Sequence, residues 1–146
     1  MKRPEYKGVH SGQICFPGGA QEPQDQSSKY TAIREMHEEI GVRLDIGQVI
    51  GELSPLYIPV SNFVVRPYLA YLDSKPSYTL DPLEVDNIIE VDLDGIMDDN
   101  NEGVRTIKHS QGFELETPCF VFNKKVVWGA SAMILAELKE IIKKIN

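Results

Sequence analysis

Arg34-Glu35-Met36-His37-Glu38-Glu39-Ile40-Gly41-Val42 places three carboxylates within five positions of one predicted helix. Glu35 and Glu39 are spaced i,i+4 and Glu35 and Glu38 i,i+3, so all three project from overlapping faces. Like charges at that spacing cost a helix a few tenths of a kcal/mol per pair. Arg34 can reach Glu38 at i,i+4, but one arginine does not neutralise three acids. Two readings stand at this point. One is a solvated acidic helix face. The other is a site for a hard divalent cation such as Mg²⁺, which takes carboxylate oxygens and keeps waters and substrate phosphates as its remaining ligands.

Working outward, Tyr30, Ile33, Met36 and Ile40 recur at helical spacing, which predicts a helix over 28–40. Gly41 follows the last apolar residue and suits the left-handed residue that ends a helix. Upstream, Gln26-Ser27-Ser28 can cap the helix, and the polar stretch 20–28 reads as a loop. Before it, Phe16-Pro17-Gly18-Gly19 makes a turn whose glycine pair lets backbone approach a ligand closely. Residues 11–16 read as a short strand entering that turn. Residues 48–58, 62–72 and 85–93 read as further strands, with a polar turn at 98–103 and short strands near 104–109 and 118–122. A closing helix over 130–143 carries an apolar stripe of Ile134, Leu135, Leu138, Ile141 and Ile142. The expected architecture is α+β, an α/β/α sandwich with a mixed sheet between helices, in one domain over 1–146.

The bulk properties agree with a single ordinary globular domain. The chain has 146 residues, 42% hydrophobic and 25% charged. No apolar run is long enough to span a bilayer, so no membrane partner is expected and the setting reads as cytoplasmic. Cys15 and Cys119 are the two cysteines, and no CxxC suggests zinc. Cys15 reads as a reduced, buried thiol. The net charge of −7, from 22 acids and 15 bases, argues against a nucleic-acid partner. An acidic chain still binds a phosphorylated small molecule when metal ions bridge the two negative parties.

The segment from Gly18 to Val42 resembles the Nudix box, Gly-x5-Glu-x7-Arg-Glu-U-x-Glu-Glu-x-Gly-U with U aliphatic. Arg34, Glu35, Met36, Glu38, Glu39, Gly41 and Val42 match every fixed position of its second half. The first half departs, because Ala20 and Gln26 stand where the box has its glycine and acid. One extra loop residue restores the match, with Gly19 as the glycine and Asp25 as the acid. A coenzyme A diphosphatase-like branch of the superfamily shares that insertion. The chain resembles this branch in His10-Ser11-Gly12-Gln13-Ile14-Cys15-Phe16-Pro17-Gly18-Gly19, in Glu22 and Asp25, and in Trp128-Gly129-Ala130-Ser131-Ala132-Met133-Ile134-Leu135. Where the branch carries Leu-Arg before its histidine, this chain has Lys7-Gly8. Lys7 or Arg3 can substitute there as a point charge, without an arginine's fork.

The resemblance implies Nudix chemistry: water attacks a phosphorus of a diphosphate, with Mg²⁺ or Mn²⁺ as cofactor. It implies Glu35, Glu38, Glu39 and the Gly19 carbonyl as metal ligands. Glu35 and Glu38 act in catalysis, Glu35 being a candidate to orient or deprotonate the water, and Arg34 holds the glutamates. His10, Gln13, Gly18, Gly19 and Lys7 are the expected substrate contacts, with a loop-anchoring role as the other reading of His10. The partner is a small nucleotide diphosphate, foremost coenzyme A or acyl-coenzyme A. ADP-ribose, a dinucleotide, or a non-catalytic nucleotide sensor are the alternatives. His37 reads as surface or packing, Glu84 as part of a solvated turn, Trp128 as core and Ser61-Asn62-Phe63 as a turn at a pocket rim. The Nudix fold has a strand ahead of the His-x-Gly-Gln segment, and residues 1–6 read as the end of such a strand. The expectation is therefore an N-terminally short domain whose natural start lies upstream. Failing that, the sheet exposes an edge that invites a homo-oligomer.

Overall fold

The computed structural model describes residues 1–6, 11–59, 61–108, 112 and 114–145, with 108 described by its backbone alone. Helix α1 spans Ser28–Ile40, strands β1 Val49–Glu52, β2 Leu56–Ile58, β3 Phe63–Val65 and β4 Tyr68–Ala70. Helix α2 spans Leu93–Met97, strands β5 Glu102–Lys108, β6 Glu114–Phe122 and β7 Lys125–Trp128, and helix α3 Ala130–Ile145. The class is α+β, as expected. The ladders between named strands are all antiparallel: β1 with β4, β2 with β3, and β5-β6-β7. No described helix is long and apolar enough to cross a membrane.

The chain divides into two compact units. The first holds Met1 and Phe16–Asn87, and within it α1 keeps its sequence-predicted bounds. Gly41 ends α1 at φ 75, and its N–H donates to His37 O at 2.9 Å. Ser27 stands at the N-cap position, but its side chain caps nothing. Instead its carbonyl opens the helix by accepting from Thr31 N at 3.0 Å. The C-terminal turn of α1 is tied down when Thr79 N donates to Ile40 O at 3.0 Å and Asp81 N to Glu39 O at 2.9 Å. Met1, Ile40, Val42, Leu53 and Val85 are this unit's buried hydrophobic side chains among the described residues.

Each of the two long strands expected in this unit is broken in two. Residues 48–58 give β1 and β2, and 62–72 give β3 and β4. The interruptions fall at Pro55 and Pro67, which have no N–H to give a ladder. Residues 85–93, expected to be extended, contribute no named strand. Asp86, Asn87, Glu90 and Asp92 are poor strand formers, and their density outweighs the two isoleucines.

The second unit holds Lys2–Cys15 and the chain from Ile88 onward. Residues 11–16 make one bridge, Ile14 to Lys2, rather than a strand. Gly12 turns the chain at φ 65, and its N–H donates to Pro4 O at 3.1 Å. Strand β6 is longer than expected, and β7 was not expected at all. The hairpin joining them turns on Asn123 and Lys124, with φ 49 and 67. Two consecutive positive φ values define the primed turn that fits strand twist. Asn-Lys lacks the glycine that usually signals it. The core packs Phe120, Phe122 and Val127 from the sheet against Ala132 and Leu135 of α3 and Ile96 of α2. Phe120 and Phe122 stack with centroids 5.8 Å apart. Ile134 and Leu135 of the expected stripe are buried, and Leu138 packs against the core. Lys139 is buried too, donating to Asp99 at 2.7 Å and Glu102 at 2.5 Å.

Candidate active site

The site residues of the first unit lie on α1 and on the loop before it. Helical spacing brings Glu38 to the Arg34 guanidinium, and the side-chain rotamers bring Glu35, its sequence neighbour, to the same nitrogen. Nη1 of Arg34 donates to Glu35 Oε1 and to Glu38 Oε2, both at 2.8 Å. The rest of the guanidinium faces the loop. Nε donates to Asp25 Oδ1 at 3.1 Å, and Nη2 to Asp25 Oδ2 at 2.9 Å and to Ala20 O at 3.2 Å. A guanidinium has five N–H donors, and these five contacts use the whole set. Arg34 thus offsets part of the repulsion between Glu35 and Glu38 within the chain.

Asp25 is held as firmly as the arginine it grips. Oδ2 also accepts from Glu22 N at 2.9 Å and from Thr31 Oγ1 at 3.0 Å. The Arg34 hydrogen bonds, seconded by that of Glu22 N, hold the Asp25 carboxyl far below the usual carboxylate range. Reciprocally, Asp25 holds the Arg34 guanidinium protonated well above its ordinary range. Only 5% of the Asp25 side chain and 18% of the Arg34 side chain are exposed, so solvent screens this pair less than a surface ion pair.

Glu39 meets the same loop at Gly18. It is 1% exposed, and its Oε2 accepts from Gly18 N at 2.8 Å. Its Oε1 is also buried and takes no hydrogen bond among the described residues. Gly18 has φ 157, where a side chain is strained, so glycine lets the loop turn its N–H toward Glu39. Gly19 lies against Glu35: a Cβ built there falls 2.2 Å from Glu35 Oε1. The Gly19 backbone and the Glu35 carboxylate therefore lie in close approach, with no room for a side chain between them.

The donors suit a hard cation, being carboxylate oxygens with a glycine backbone pressed against one of them. Arg34 touches one oxygen each of Glu35 and Glu38 and leaves the other of each outside that contact. Among the described residues no three His, Cys, Asp or Glu side chains already converge as a metal cluster. Holding a cation here therefore means re-aiming the glutamates while the loop and Arg34 keep their frame.

The other expected residues fall as follows. Lys7 and His10 lie outside the described residues. Gln13 belongs to the second unit and is half-buried, and its carbonyl accepts from Arg3 N at 2.9 Å. His37 is exposed, and its Nε2 accepts from Arg43 Nε at 3.0 Å. Glu84 is exposed in a turn, and Trp128 is half-buried rather than core. Asn62, at φ 54, accepts from the Tyr57 hydroxyl at 3.0 Å through Oδ1. Cys15 is half-buried rather than buried, and Cys119 is buried. Thr31, 4% exposed, was not anticipated. Its signal was a β-branched hydroxyl residue one turn before Arg34, where an aliphatic would serve a core better.

This helix and loop pattern belongs to a known class: the chain is a member of the NUDIX domain family, whose model matches residues 1–108. It is 33% identical over 129 residues to the mitochondrial coenzyme A diphosphatase NUDT8 of Mus musculus, covering 87% of this chain and 61% of that protein. The Homo sapiens protein of the same name is 34% identical over 129 residues, covering 87% of this chain and 54% of that one. An uncharacterized Nudix hydrolase NudL of Photorhabdus laumondii subsp. laumondii is 29% identical over 134 residues, covering 92% of this chain and 71% of that protein. The chain thus spans little more than half the length of the two coenzyme A diphosphatases it matches.

Proposed function

We propose that this protein is a divalent-metal-dependent diphosphatase acting on coenzyme A or acyl-coenzyme A. The observation that carries the reading is the ordered set on α1, in which Arg34 aligns Glu35 and Glu38 while Gly19 packs on Glu35. The likeness to proteins named coenzyme A diphosphatase supports the choice of substrate.

In this reading Glu35, Glu38, Glu39 and the Gly19 carbonyl hold Mg²⁺ or Mn²⁺. The cation, when bound, neutralises the diphosphate oxygens and favours attack by water. Glu35 orients that water and accepts its proton as the new P–O bond forms. The bond from that phosphorus to the bridging oxygen breaks, releasing 4′-phosphopantetheine (or its acyl form) and adenosine 3′,5′-bisphosphate. Arg34 keeps Glu35 and Glu38 in register through the change. Lys7, His10, Gln13, Gly18 and Gly19 are the proposed substrate contacts. The count of only two cysteines, without a disulfide framework in the sequence, supports a reducing, cytoplasmic setting.

Incubation with Mg²⁺ and a panel of coenzyme A, ADP-ribose, NADH and nucleoside triphosphates tests the reading, with products resolved chromatographically. Turnover of coenzyme A to its two monophosphate products is expected, abolished by a chelator and by Glu35→Gln. Turnover restricted to ADP-ribose overturns the substrate. A Glu35→Gln variant as active as the parent overturns the site.

A further inference from the structure

We propose that Thr31 is a positioning residue for this reaction, acting through Asp25 and Arg34 on Glu35 and Glu38. The inference rests on the diphosphatase reading of the site. The partners of the Thr31 hydroxyl among the described residues are Asp25 and Ser27, not a glutamate of the metal set. Its hydroxyl is buried one turn before Arg34 and donates to Asp25 Oδ2 at 3.0 Å. The same hydroxyl lies 3.3 Å from Ser27 O. A hydroxyl has one proton to give, and the shorter, charge-assisted contact takes it.

Asp25 lies on a loop, and a loop carboxylate has no helix to aim it. Two groups other than arginine aim it: the Glu22 N–H, from the same loop, and the Thr31 hydroxyl, from α1. Thr31 alone of the two ties Asp25 to the helix that carries the glutamates. Arg34 takes its orientation from Asp25 through two hydrogen bonds and passes it to Glu35 and Glu38 through one nitrogen. Without the Thr31 hydroxyl, Asp25 keeps Arg34 as its side-chain tie to the helix, and the two can shift together against the glutamates. Nη1 then loses its fixed place between the two glutamates.

Four proteins test this: the parent, Thr31→Val, Asp25→Asn and the double variant, with Thr31→Ser as the rescue. Valine keeps the shape of threonine and removes the hydroxyl, while serine restores it. Thr31→Val is expected to lower kcat about ten-fold, the worth of one charge-assisted hydrogen bond. KM for coenzyme A stays within about two-fold, because Thr31 is not a substrate contact, and Thr31→Ser recovers kcat to within about two-fold. In the Asp25→Asn background Thr31→Val adds nothing further, because its route to the glutamates is already cut. Mn²⁺ affinity without substrate follows the same pattern. A kcat and Mn²⁺ affinity unchanged in Thr31→Val overturn the proposal. So do equal losses in Val and Ser, or independent losses from Thr31 and Asp25. If the parent turns over no diphosphate, the functional reading fails instead, and Mn²⁺ affinity across the same proteins still decides the Thr31 linkage.

Discussion

Alanine at position 19 asks whether the contact between loop and helix is architectural or catalytic. Its Cβ would lie 2.2 Å from Glu35 Oε1, 2.5 Å from Cδ and 2.9 Å from Oε2. Contacts under 3.0 Å are essentially never seen, so the carboxylate has to retreat by about 0.8 Å. What retreats is the tip of a flexible side chain. The cost in folding is then an off-rotamer glutamate and a weakened contact to Arg34 Nη1, together about 1 kcal/mol. Catalysis is less forgiving, because a misplacement of about 1 Å at a reacting centre costs on the order of 100-fold. Gly19→Ala should therefore unfold in urea within about 1 kcal/mol of the parent, followed by far-ultraviolet circular dichroism. Its kcat with Mg²⁺ and coenzyme A should fall on the order of 100-fold. A folded variant within about three-fold of parental kcat refutes the reasoning, since a metal-holding Glu35 cannot tolerate that shift. A stability loss above about 3 kcal/mol refutes it differently, by showing that the contact is packing rather than a mobile carboxylate.

Gly41→Ala should lose about 2–4 kcal/mol in the same urea titration, combining the left-handed φ of 75 with a Cβ only 2.9 Å from the backbone of Thr79. Asp25→Asn should be less stable than the parent at neutral pH. Because folding depresses the Asp25 pKa below 3.8, its contribution is complete above that value. The gap between parent and variant in denaturation midpoint should therefore narrow as the pH falls below about 4. Lys139→Met should cost about 1 kcal/mol or less by thermal unfolding, since it leaves behind only the partly solvated acids Asp99 and Glu102. The double change Asp99→Asn with Glu102→Gln strands a buried ammonium and should cost about 3 kcal/mol or more.

Helix α1 was legible to the residue because three independent signals coincide there: helical spacing, a terminal glycine and a highly specific motif. The pairing of Arg34 with Glu38 followed from spacing alone. Its pairing with Glu35, a sequence neighbour, did not, because rotamers rather than periodicity decide it. Periodicity read β-branched runs as long strands and overlooked Pro55 and Pro67, each of which deletes a ladder donor. The turn at Asn123 and Lys124 hid for the opposite reason: lysine accepts a left-handed φ that sequence rules reserve for glycine. Lys139 and Thr31 escaped notice because polarity suggests solvent, whereas both are buried with carboxylates as partners.

Arg34 also settles an order of events. Its side chain spends every donor at home, so Glu35 and Glu38 come with a tethered counter-charge. Proteins whose ligand carboxylates lack such a partner need the ion to fold, and chelation denatures them. If Glu35 and Glu38 hold the ion as proposed, assembly and loading are separable here: the domain can mature in a metal-poor moment and wait. On that proposal an arriving ion would compete with a resident charge that cannot diffuse away, so resting affinity would stay modest and a phosphate-bearing ligand would help to tip the exchange.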